Sequence, residues 1–127
     1  MNLKDQLCTE EQAKILKDLG VSQVSLFYYL QLFQEYGGGI EIFYKNEFPE
    51  SNVNVKYSAY TVAELGLILR NEYFVEVTSI SGLGVCTNWS RKFYYGNTVA
   101  ECLGALAIEH IKKKRESIQQ INERLLG

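Results

Sequence analysis

The chain has one proline, one histidine and three cysteines among 127 residues. Each scarcity excludes something. Cys8, Cys86 and Cys102 are odd in number and widely spaced, with no C-x-x-C pair and no Cys/His cluster at zinc spacing. Neither a disulfide framework nor a metal site is therefore expected, and the thiols should be reduced. His110 is the only histidine and falls mid-helix beside Glu109 and Lys112, where an exposed or boundary position is expected rather than a general base. Pro49, the only proline, marks a loop in NEFPESN. A basic excess is missing too: the formal net charge is −2, which argues against a dedicated nucleic-acid binder. No apolar run approaches the ~20 residues of a membrane span. The first residues, MNLKDQLCTEEQ, carry no apolar stretch of signal-peptide length. A soluble, cytoplasmic protein with no membrane partner is expected.

Motifs for common chemistry are also missing. GGGIE fits neither G-x-G-x-x-G nor G-x-x-x-x-G-K and reads as a turn. No serine sits in a G-x-S-x-G elbow. The carboxylates are scattered; Glu72 and Glu76 lie near a strand, where a solvated face is the simpler assignment. No catalytic residue, metal ligand or cofactor is assigned, and a non-enzyme is expected.

What is present is a globular composition, 46% hydrophobic against 22% charged, at a length that suits one domain. The tetrapeptide Thr-Val-Ala-Glu occurs twice, at Thr61 and at Thr98, each time after a tyrosine-rich stretch and before an apolar run. A threonine followed three residues later by glutamate is a capping box, which satisfies amide hydrogens left open at a helix start. Thr9 and Gln12 form a third such pair. Three helix starts follow, and the repeat is a helix-starting device rather than a chemical signature. The first helix ends near Gly20 and the second near Asn71. The third meets no proline or strong stop before Gly127; about 28 residues would span about 42 Å.

Strands are expected over residues 26–33, 40–45, 53–57, 72–80 and 89–96, with Gly37, Gly38 and Gly39 reversing the chain after the first. Both faces of residues 26–33 are apolar, so cover on both sides is expected. SGLGVCTN reads as a glycine-containing connection. The expectation is a single α+β domain over residues 1–127: a mainly antiparallel sheet of about five strands with three helices, the C-terminal one long.

Two features suit binding. Trp89 follows a polar loop and neighbours Arg91 and Lys92; with Tyr94 they make an aromatic-plus-cation patch fit to stack on a base or hold a peptide. On the C-terminal helix, Ile111, Ile118, Ile121 and Leu125 continue a stripe from Ala107, flanked by the basic run Lys112, Lys113, Lys114 and Arg115. Such a seam packs either on the chain's own sheet or on a second copy. A homodimer through this helix is the expectation carried forward.

CTEEQAKILKDLGVSQVSLFYY followed by YSAYTVAELG resembles a group of small proteins encoded in prophages and mobile elements of Bacteroides-type bacteria. Cys8, Thr9, Gln12, Ala13, Leu16, Leu19 and Gly20, then residues 25–28 and 57–66, carry it, over about half the chain. The resemblance implies genomic context and no catalytic residue. Gly96, Thr98 and Glu101 before a long helix are similar to the strand-to-helix junction of phage α/β-sandwich and HicB-like antitoxin domains. A non-enzymatic accessory or interaction protein of a prophage or mobile element is thus expected. The alternative is a regulatory, antitoxin-like domain contacting protein or nucleic acid.

Overall fold

The computed structural model describes residues 2–34, 37–47, 53–78, 82–86 and 92–127. A 3-10 turn, Leu3–Gln6, leads into α1 (Glu10–Asp18). Three strands follow, β1 (Phe27–Leu32), β2 (Ile40–Tyr44) and β3 (Val53–Ala59), then α2 (Val62–Ile68). A second set, β4 (Phe74–Thr78), β5 (Gly82–Cys86) and β6 (Tyr94–Gly96), precedes α3 (Val99–Lys112) and α4 (Ile118–Leu126). The class is α+β, as expected. The finer architecture differs: among the described residues there are two three-stranded antiparallel sheets, ordered β2-β1-β3 and β4-β5-β6, and four α-helices.

The extra strand is β5, the centre of the second sheet, in the segment read as a connection. Its glycines hid it, since glycine weakens a strand that has no other support. Here the support comes from the neighbouring strand. A Cβ on Gly84 would lie 3.0 Å from the Tyr95 ring and 3.1 Å from Phe93. Glycine lets those two rings, stacked at 6.2 Å, lie against the β5 backbone.

The helix starts fall where the boxes put them. Thr9 and Thr61 each accept from the amide three residues on, and Gln12 and Glu64 bond back to the cap amides. Thr98 accepts from the Glu101 amide, but Glu101 reaches back one residue further, to the Asn97 amide. α1 ends on Gly20 at φ 95°, with Gly20 N–H donating to Lys17 and Val21 N–H to Leu16. α2 closes the same way, with Arg70 in the left-handed position.

The long C-terminal helix is corrected to two. Lys114 adopts φ 54°; its N–H donates to the Ile111 carbonyl, and Arg115 N–H to His110. That is the same left-handed cap, made without glycine. Ser117 then starts α4, accepting from the Gln120 amide, while the Gln120 side chain bonds the Ser117 amide. The chain folds back, and α4 packs on α2. Asn122 donates to the Gly20 carbonyl and accepts from Ser22 N–H, tying α4 to the exit of α1.

The seam assigned to self-association packs in part on the chain's own core. Ile121 is fully buried in the core, and Ile111, Ile118 and Leu125 pack against it. No over-length helix remains to call for a second copy. At the centre lies α3, touching α1, α2, β5, β6 and the 3-10 turn. β1 is covered on both faces, as its sequence suggested: Tyr28, Tyr29 and Leu30 are all buried. Tyr29 donates to the Cys8 carbonyl at 2.6 Å on one side, and Tyr28 to the Gln23 carbonyl at 2.9 Å on the other.

The break at Lys114 has a mutational signature of definite sign. Lys114→Gly removes the side-chain penalty at a left-handed residue and should raise stability by about 0.5–1 kcal/mol in denaturant melts. Within a continuous helix the same change would lower stability by about 1 kcal/mol.

Candidate binding cleft

Of the predicted aromatic patch, Trp89 and Arg91 lie outside the described residues. Tyr94 is described, and it faces inward. Its ring packs against the core, its hydroxyl is buried with no hydrogen-bond partner among the described residues, and the Lys92 ammonium sits 5.3 Å from the ring centroid. Burial raises the Tyr94 hydroxyl pKa, with a smaller push from Glu109. Tyr95, on the opposite face of β6, is the exposed tyrosine there.

His110 is corrected from an exposed or boundary position to a buried one, 4% exposed. Its Nε2 lies 2.9 Å from Glu116 Oε1. Arg124 grips both oxygens of the same carboxylate at 2.6 and 2.7 Å, and donates to the Leu67 and Ile68 carbonyls at the end of α2. Burial pushes the Glu116 carboxyl pKa up, but hydrogen bonds from Arg124 and then His110 outweigh that and hold it below the usual carboxylate range. These three residues join α3, α4 and α2, so their role is to fix the fold.

No disulfide joins the three cysteines, all of them among the described residues. Cys8 is wholly buried, and desolvation pushes its thiol up to about 12. Burial, followed by Glu101, raises Cys102 as well. Among the described residues no group of His, Cys, Asp and Glu is placed to hold a metal.

A concave feature lies elsewhere, at the N-terminal ends of α1 and α3. It is a cleft of about 1180 Å³ walled by the 3-10 turn, the first turns of α1 and α3, Tyr29 and β2. Five carboxylates line it, Asp5, Glu10, Glu11, Glu41 and Glu101, against two ammonium groups, Lys4 and Lys14. Helix starts favour acids, which accounts for Glu10, Glu11 and Glu101. Asp5 falls in the first turn of the 3-10 helix, and Glu41, on a strand, has no such reason to be there.

The β2 wall is a strand edge. Ile40, Glu41 and Ile42 are consecutive, so their side chains alternate between faces, yet all three line the cleft. Residues that do this present the rim of a sheet, and β2 is an outer strand. The backbone register specifies what the rim offers. Lys45 N–H donates to Leu26, and Leu32 N–H to Gly39, so bonded pairs fall on even positions of β1 and odd positions of β2. Glu41 and Phe43 therefore turn their backbone groups toward β1. Ile40 and Ile42 turn theirs outward, and neither has a backbone partner on that side among the described residues. Sequence reasoning missed this cleft because its walls come from four separated segments.

No family model, curated protein or solved structure matches this chain. None of the described helices is long and apolar enough to cross a membrane.

Two outcomes follow from these environments. Glu116→Gln should lower stability at neutral pH by roughly 1.5–3 kcal/mol, the range for hydrogen bonds to a charged group. Because the native carboxyl titrates below its unfolded value of 4.5, this contribution is complete above that pH and fades as pH falls through the native value. Unfolding curves of wild type and variant should therefore converge in acid. For the thiols, a soluble alkylating agent should label half-exposed Cys86 first, with Cys8 and Cys102 labelled only as the chain unfolds; mass spectrometry of peptides gives the order.

Proposed function

We propose that this chain is a non-enzymatic interaction protein of a prophage or mobile element, acting in the cytoplasm by binding a partner protein through the acidic cleft. The observation that carries this is the pairing of an outward-facing strand edge at Ile40 and Ile42 with a local excess of carboxylates. Exposed main-chain donors and acceptors suit a polypeptide ligand. The charge selects a basic one. A small molecule finds less here, since such sites are usually tighter and mostly apolar.

An antitoxin-like regulatory domain is the second reading, and the same charge favours its protein-binding form. Phosphates approaching Asp5, Glu10, Glu11 and Glu41 would be repelled. A toxin gene beside this one favours regulation, whereas a structural-gene neighbourhood favours an accessory role. The mobile-element context rests on the motifs around Thr9 and Thr61.

The test uses the full chain with a fluorescent lysine-rich peptide, a glutamate-rich peptide and duplex DNA, compared by anisotropy. The lysine-rich peptide should bind, more weakly as salt rises. Replacing Glu10 and Glu11 by lysine should remove binding while the chain stays folded, since both side chains are exposed and the lost helix-dipole contacts are worth only about 0.3–1 kcal/mol each. Preferential binding of DNA, or indifference to the charge reversal, would refute the assignment.

A further inference from the structure

We infer that the partner's basic segment binds in extended form as a fourth strand on the outer edge of β2, which has no strand beside it among the described residues, extending the order β2-β1-β3 outward. This rests on the reading of the cleft as a protein-binding site and adds its mode of recognition. The rim residues Ile40 and Ile42 each present one N–H and one C=O outward, and these are the groups an added strand pairs with. Their half-buried side chains pack against the core, so the edge is held in position before any ligand arrives.

The charges lie where an added strand would place its side chains. Residues of a strand alternate between faces. One set would point toward the 3-10 turn and the start of α1, where Asp5, Glu10 and Glu11 line the cleft. The other set would lie beside Glu41, whose register partners are Leu30 and, across β1, Lys56. A segment with lysine or arginine at alternate positions meets carboxylates along its length.

A second copy of this chain is a poorer occupant. Antiparallel pairing of β2 with β2 about a two-fold would bring Glu41 near its own symmetry mate and set the two acidic rims together. The chain's basic run, Lys112 to Arg115, spans the end of α3 and its cap and is not extended. A separate protein with a basic extended segment fits both the backbone and the charge.

The probe is a peptide of about ten residues alternating lysine and valine, long enough to cover the edge at about 3.3 Å per residue. Three readings are taken on the intact chain: peptide affinity, amide hydrogen exchange at Ile40 and Ile42, and affinity of the same peptide N-methylated along its central backbone. Strand addition predicts that the parent peptide binds and slows exchange at Ile40 and Ile42 about tenfold or more, while Glu41 and Phe43, already bonded to β1, change little. N-methylation keeps the charge and removes the donors, and should weaken binding about tenfold or more. If the parent binds but those two amides exchange as before, or the N-methylated peptide binds equally well, strand addition is overturned while the cleft keeps its partner. If a glutamate–valine peptide binds as tightly, the charge basis is overturned. If the lysine–valine peptide does not bind at all, both the added strand and the protein-binding assignment fail.

Discussion

The fold depends on enclosing α3. Of its fourteen residues, seven are buried, and four neighbouring elements besides the 3-10 turn lie against it. The middle of the helix is enclosed while its two ends reach the surface, and each end is closed by the chain itself. Thr98 and Glu101 close the first turn, and Lys114 and Arg115 amides close the last. The close approach of α1 uses the same residues again. Gln12, already bonded to the Thr9 amide, donates through Nε2 to the Glu101 carbonyl, and its side chain occupies the space a Cβ on Gly104 would take. One glutamine thus caps one helix and spaces it from another. Any larger residue at Gly104 would displace the Gln12 side chain from the Glu101 carbonyl.

Enclosure of α3 also explains the return of the chain as α4. The far side of α2 and the exit of α1 would otherwise leave apolar surface in water, and Ile121 covers it. The turn that makes this possible is held by one carboxylate. Glu116 receives Arg124 from α4 and His110 from α3, while Arg124 also satisfies two carbonyls at the end of α2. A bidentate arginine suits this task because its planar fork fixes angle as well as distance.

The parts of this architecture that local chemistry controls could be read from the sequence. Thr9, Thr61 and Thr98 announce their helices because a cap needs only residues a few positions apart. Ser117 and Gln120 announce α4 by the same rule, in the segment ESIQQ, but the unbroken polarity pattern around them suggested continuity, and a lysine in place of glycine at the cap removed the usual stop signal. β5 was hidden because the rings that lie against its Gly84, those of Phe93 and Tyr95, belong to residues in and just before β6. His110 was misplaced because the partner that permits its burial arrives after a turn the pattern did not reveal. The cleft was the least legible feature, since Asp5, Glu41 and Glu101 meet only through tertiary structure.

The net charge of −2 conceals a separation of charge along α3. Carboxylates gather at its N-terminal end, and Lys112, Lys113, Lys114 and Arg115 lie exposed at its C-terminal end. Each group suits the helix dipole, so fold stability alone favours this polarity. It has a second consequence at the edge of β2. An open strand edge invites pairing with any extended chain, including copies of itself, and charge is one of the few defences that leave the backbone accessible. The acidic rim repels an identical rim and attracts a basic segment. Residues that favour the helix starts of α1 and α3 therefore also set which chains can approach Ile40 and Ile42, so that selectivity at the edge follows from the same placement of charge that stabilises the fold.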